Sequence, residues 1–131
     1  MGAADASTNI SGGTYVAYSF ASVESYSKVG SCEGNGTANG PFVYTGFRPA
    51  YVTVKGIDAA VSWYTYDNKR DTYNPAVWPL WPHHYAGEVS YASYGIDLLS
   101  NGFKFNPFNS STGTFIYMAF AEAPFKYANA R

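Results

Sequence analysis

The residues best equipped for chemistry crowd into one stretch, WPLWPHHY, Trp78 to Tyr85, which holds two of the three tryptophans and both histidines. Imidazoles ligate metals and move protons, and indole rings stack on sugars or bury against partners. His83 and His84 are adjacent, so on an extended segment they point to opposite sides and do not close on one ion together. A zinc site needs a third and usually a fourth ligand, yet the chain offers no HExxH and a single cysteine, Cys32. No metal site is assigned. The rings of Trp78, Trp81 and Tyr85 have a different use, because Pro75, Pro79 and Pro82 hold the segment rigid at low entropic cost. With His83 and His84 they read as a contact surface for a ligand or partner, or else as a cap over one end of the fold. The sequence leaves both open.

Other candidate sites are weaker. YDNKRDTYNP, Tyr66 to Pro75, packs Asp67, Lys69, Arg70 and Asp71 into one polar turn with Asn68 and Asn74. Those oxygens suit calcium, but the spacing is not that of an EF-hand loop, and a turn salt-bridged through Arg70 explains the residues equally well. Asp67, Asp71, Glu88 and Asp97 form no recognisable acid pair. There is no GxSxG nucleophile motif, and GNGTANG, Gly34 to Gly40, lacks the lysine and following helix of a phosphate loop. No catalytic residue and no cofactor is assigned, and the chain reads as a non-enzyme.

The composition narrows the partners. The 131 residues suit one domain, and 47% hydrophobic against 13% charged residues excludes a disordered chain. A net charge of −1 with scattered lysines and arginines excludes a nucleic-acid footprint. No apolar run reaches membrane-spanning length, and MGAADASTNISGG lacks the basic start and apolar centre of a signal peptide. Ala6 stands where a myristoylation motif needs Ser or Thr. The sequons at Asn9, Asn35 and Asn109 read as accidents of an Asn-, Ser- and Thr-rich chain. Thirteen tyrosines are the main compositional signal, since a broad ring with a polar tip favours strands and half-buried surfaces.

The elements that must position the loop are strands. TYVAYSFA (Thr14 to Ala21), SYSKVGSCE, FVYTGF, AYVTVKGI, VSWYTYD, YGIDLLSNGFKF and GTFIYMAFAE (Gly113 to Glu122) are β-rich runs separated by Gly, Asn and Pro. Asn101-Gly102 is expected at the centre of a hairpin turn with positive φ at both positions. No run has helical periodicity with caps, and three prolines exclude a helix over Tyr73 to Gly87. The expected fold is all-β, a single antiparallel β-sandwich, jelly-roll-like. Residues 1–12 are expected as a flexible segment, 13–122 as the sandwich and 123–131 as an arm or tail whose Phe125 and Tyr127 contact a neighbour. The expected core draws on Tyr15 or Val16, Phe20, Val43, Val52, Val54, Trp63, Leu98, Phe103, Ile116 and Phe120. One internal echo exists. NISGGTYVAYSFA from Asn9 and NSSTGTFIYMAFA from Asn109 match at six of thirteen positions without gaps. A single pair is no solenoid; it fits a tandem module whose units each end on this strand. On that reading the chain opens with the tail of a preceding unit, and its two echoed strands lie close together.

Several segments resemble a module found in tail-associated proteins of tailed bacteriophages. They are GTYVAYSFA, YSKVGSCEGNGTANGPFVYTGFRPAYVTVK (Tyr26 to Lys55), KRDTYNP (Lys69 to Pro75), IDLLSNGFKF (Ile96 to Phe105) and GTFIYMAFAEAPFKYANAR (Gly113 to Arg131). The resemblance runs from about Gly13 to the C-terminus, while WPLWPHHYAGE replaces a more polar segment of similar sequences. It implies a virion structural protein, made in the host cytoplasm and assembled at the tail or capsid surface with other virion proteins or copies of itself. It supplies no catalytic residue. The alternative is an adhesin that binds host surface glycan through Trp78 to Tyr85, and a glycan-degrading enzyme ranks below both.

Overall fold

Val52 and Val54 on one side of a strand, with Tyr51 and Lys55 on the other, give it one face to bury, and the same alternation recurs along the chain. The computed structural model describes residues 10–58, 60–85, 87–108 and 112–123. It contains seven strands: β1 Ser27–Asn35, β2 Phe42–Tyr44, β3 Pro49–Gly56, β4 Trp63–Asp67, β5 Tyr94–Leu99, β6 Gly102–Phe108 and β7 Thr112–Ala121. No helix occurs among the described residues. Two antiparallel sheets form, ordered β1-β7-β3-β4 and β2-β6-β5. First pairs with last and second with second-to-last, in opposite sheets, which is the nested pairing of a jelly roll. The protein is an all-β antiparallel sandwich.

Aromatic rings fill the space between the sheets. Phe115, Tyr117 and Ala119 of β7, with Val52, Val54, Tyr64 and Tyr66, meet Val43, Ile96, Leu98, Phe103, Phe105 and Phe108. Phe103 lies 5.4 Å from Tyr117, Phe105 5.4 Å from Phe115, and Tyr64 5.3 Å from Phe108, mostly edge to face. A one-residue bulge opposite Gly95 shifts the pairing from Ile96↔Phe105 to Tyr94↔Phe108. That extra residue returns Phe108 to the inner face, and Pro107, with no N–H to donate, sits where the ladder is already broken.

Six of the seven expected runs are strands, and the first is not. Thr14 to Ala21 lies outside any strand, exposed, with Val16 and Tyr18 78% and 82% accessible. Its echo partner β7 already occupies the place between β1 and β3, so no central position remains for it. Tyr15, Val16 and Phe20 are therefore not core residues, although Phe20 does approach β7, its ring 6.0 Å from that of Phe120. Trp63, Ile116 and Phe120 belong to real strands but to the opposite face from the one expected. Val43, Val52, Val54, Leu98 and Phe103 are buried as expected. The hairpin also differs in detail. Leu99 pairs with Gly102, so Ser100 and Asn101 form the two-residue loop, and neither has positive φ. Gly102 is needed for space: a Cβ there would sit 2.1 Å from the Val43 carbonyl oxygen. The arm residues Phe125 and Tyr127 lie outside the described residues.

Candidate functional site

The polar turn after β4 is the scaffold of the aromatic loop. Asp67 Oδ1 accepts the amides of Lys69 and Arg70, both at 2.9 Å, closing the turn on itself. Arg70 then reaches four acceptors: Asp67 Oδ2 at 2.5 Å, the Trp78 carbonyl at 2.7 Å, Glu88 Oε1 at 3.0 Å and the Thr65 carbonyl at 3.3 Å. A planar guanidinium with five donors in a fixed fork can do this; an ammonium cannot. Asp71 Oδ2 accepts the amides of Val77 and Trp78 at 2.7 and 2.8 Å. Partial burial pushes the Asp67 carboxyl up, but the bonds from Arg70 and Lys69 outweigh it and hold the group below its usual value. The carboxylates that looked available for calcium are thus engaged by the turn. Among the described residues no three His, Cys, Asp or Glu side chains gather as a metal would require.

From this turn the chain runs along the open flank of the sandwich and closes both sheet edges. Asn74 bonds the amide and carbonyl of Leu98 through its side chain, at 2.9 and 3.0 Å. Ala76 exchanges two backbone bonds with Ile96, and Leu80 exchanges two with Thr65. Segment 74–80 therefore covers the β5 edge of one sheet and the β4 edge of the other, which removes rows of unpaired backbone groups. Pro79 is fully buried and Trp81 packs on the core with its ring 5.1 Å from Tyr91. The irregular excursion expected over Tyr73 to Gly87 is a staple between the sheets.

Past Trp81 the loop turns over the outer face of the four-stranded sheet and leaves a groove. A hollow of about 360 Å³ is lined by Tyr51, Thr53, Trp63, Pro82, His83 and Met118. A second, of about 210 Å³, is lined by Ser62, Trp81, His83, His84 and Tyr91. His83 borders both. Of the five residues singled out in the loop, Trp81, His83 and His84 line this groove. Tyr85, almost fully exposed, stacks on His84 at 4.5 Å, and Trp78 lines neither hollow. Tyr51, Trp63 and Met118 are the residues that sequence reasoning missed. A signal existed for Trp63, because it shares strand parity with the charged Asp67, whereas Tyr64 and Tyr66 take the other side.

The chemistry on offer is stacking, apolar contact and hydrogen bonding. No carboxylate lines either hollow. Burial, and after it the charge of Glu33, push the Cys32 thiol up to about 11, which removes the thiolate a nucleophile needs. Tyr66, raised well above its usual value mainly by burial, serves as a donor to the Tyr94 carbonyl. A further hollow of about 370 Å³ lies between the β1 entry turn and the end of β2. There the hydroxyls of Ser27 and Thr45 donate to the carbonyls of Ala21 and Phe47, so they are committed within the chain.

Beyond the groove, the outer face of the same sheet carries an apolar patch. The ladders align Ser27, Phe120, Tyr51 and Asp67 in one row, Val29, Met118, Thr53 and Thr65 in the next, and Ser31, Ile116, Lys55 and Trp63 in a third. Lys55 turns its ammonium to the carbonyls of Gly56 and Val61, and Asp67 is held by Arg70. Val29, Ile116, Trp63, Tyr26 and Phe20 stay more than a third exposed around this centre.

A family model described as a domain of unknown function (DUF7483) matches residues 1–124, and the chain belongs to that family. No curated protein and no solved structure matches the chain.

Proposed function

We propose that the chain is a non-catalytic structural protein of a tailed-bacteriophage virion, assembled at the tail or capsid surface through its aromatic-rich faces. The observation that supports this most is the outer face of the four-stranded sheet, where Val29, Met118, Ile116, Tyr51 and Trp63 lie side by side and the charges of Lys55 and Asp67 are engaged within the chain. Apolar and aromatic residues with few charges are the composition of an interface core, and contiguous exposed apolar surface on a folded domain marks a contact site. Other virion proteins or further copies of this chain are the partners of such a face. Sedimentation velocity over a concentration series tests it. The chain alone, or mixed with its particle, forms larger species, and Ile116→Lys, at an exposed position, abolishes them while leaving the fold intact. A chain that neither self-associates nor incorporates into particles, or an Ile116→Lys variant that assembles normally, removes the reading.

The groove supports a second reading, an adhesin for host surface glycan. Trp63, Tyr51 and Trp81 offer ring faces or edges, and His83, which borders both hollows, offers a hydrogen-bonding group beside them. Single sites of this kind are weak, and display of many copies on a particle makes them effective. This reading expects Trp63→Ala and Trp81→Ala to abolish binding on a glycan array. Binding that is absent from the unmodified chain, or unchanged in both variants, ends it.

A further inference from the structure

We propose that Thr14 to Ala21 is the closing strand of a second β-sandwich of this same fold, a preceding tandem domain whose place between its own β1 and β3 equivalents is otherwise open. The first observation is the echo, read now against observed strand faces. In β7, Phe115, Tyr117 and Ala119 point into the core, and the residues one hundred positions earlier are Tyr15, Ala17 and Ser19. Ile116, Met118 and Phe120 point outward, and their counterparts are Val16, Tyr18 and Phe20. The earlier segment carries Tyr15 and Ala17 with one serine on the parity that is inward in β7 and three large apolar residues on the other, with no charge on either, which suits a central strand better than an edge. In this fold that sequence type takes a central place, since β7 is laddered to β1 on one side and β3 on the other.

The second observation is that the segment's needs are unmet among the described residues. No backbone hydrogen bond from residues 14–20 occurs among the described residues, and Val16, Tyr18 and Tyr15 stay 78%, 82% and 47% exposed. A strand with four large apolar side chains, Tyr15, Val16, Tyr18 and Phe20, and no backbone bond among the described residues gains on both counts by entering a sheet. The nearby β1 edge does not receive it. The hairpin begins at Val23↔Ser27. Its next step needs the amide and carbonyl of Val29, and the Ser22 hydroxyl bonds both, at 3.0 and 3.3 Å. The ladder stops there. Phe20, outward in strand parity, rests its ring on Phe120, so the donated strand leaves the first sandwich at the point where it packs on the second. Two neighbouring domains would thereby share one covalent strand and one aromatic contact. The proposal is independent of the virion and glycan readings.

The test is a seamless fusion in which residues 23–108 are placed directly before residues 9–131, so that Asn9 follows Phe108 as Asn109 does in the chain. The upstream half then has every strand except β7 and can complete itself only with Thr14 to Ala21. Amide exchange of Thr14 to Ala21 is expected to be fast in the unmodified chain and slower in the fusion by a factor on the order of 100. Both halves should resist protease. Ala17→Asp, at an inward position of the donated strand, should remove that protection and expose the upstream half, while the downstream half stays folded. An upstream half digested away with Thr14 to Ala21 still fast overturns the proposal. So does slow exchange of that segment in the unmodified chain, monomeric or self-associated, because the strand is then satisfied without a preceding domain.

Discussion

Replacing Arg70 by alanine tests whether one guanidinium clamps the aromatic loop to the sheet. The side chain is 24% exposed and donates to two main-chain carbonyls, those of Trp78 and Thr65, and to the carboxylates of Asp67 and Glu88. A hydrogen bond from a charged donor contributes about 1.5–3 kcal/mol when sheltered. The bond to Trp78 at 2.7 Å deserves the lower part of that range at this exposure, and the one to Thr65 at 3.3 Å less. Glu88 is 41% exposed, so its ion pair adds about 0–1 kcal/mol. Asp67 keeps two amide bonds without the guanidinium. The loss is then about 2–3 kcal/mol, and a domain of this size loses about 4 °C of Tm per kcal/mol. Thermal unfolding followed by tryptophan fluorescence should show a fall of about 10 °C. Arg70→Lys should fall by an intermediate amount, because one ammonium keeps the charge but cannot span the four acceptors. Amide exchange locates the effect, with Leu80, bonded to the Thr65 carbonyl, and Val77 and Trp78, bonded to Asp71, opening first. A loss below about 0.5 kcal/mol with exchange at these amides unchanged would refute the clamp.

Three further outcomes follow from the same structure. Asp67 is held below its usual 3.8, so its stabilisation is complete above that value and is lost as pH falls through the lower folded value; Asp67→Asn should flatten this acid limb of the Tm profile, and an unchanged limb would count against the turn. Gly102→Ala should cost several kcal/mol in chemical denaturation, since the new Cβ meets a backbone carbonyl in the β2–β6 ladder, while Gly87→Ala, with nothing within 4 Å, should stay within about 0.5 kcal/mol of the parent. Cys32 should react with a disulfide reagent at pH 8 far more slowly than a free thiol, since about one molecule in a thousand is thiolate there, and labelling as fast as that of a free thiol would contradict its burial.

Much of the fold was legible because period-two alternation, turn residues and the exclusion of helix by Pro75, Pro79 and Pro82 are local properties. They located β1 to β7 and identified the antiparallel sandwich. Loop chemistry was legible in part: proline spacing marked Tyr73 to Gly87 as an irregular excursion, and Arg70 suggested a salt-bridged turn. Face assignment was harder. In β4 the shared parity of Trp63 and Asp67 pointed outward, but the size of Trp63 argued for the core. In β7 both faces are apolar, Phe115, Tyr117 and Ala119 on one and Ile116, Met118 and Phe120 on the other, so alternation carries no sign.

The sequence by itself determined most of the strand runs, the proline-interrupted excursion and the echo, since each rests on neighbours a few residues apart or on direct identity. Only the tertiary structure decided that His83 meets Trp63 and Tyr51 while Trp81 packs on Tyr91, and that one of two similar strands enters the sheet while the other stays out. A sheet position is a long-range resource: β1 and β3 accept one strand between them. Nothing within Thr14 to Ala21 records that the place is taken by residues one hundred positions away.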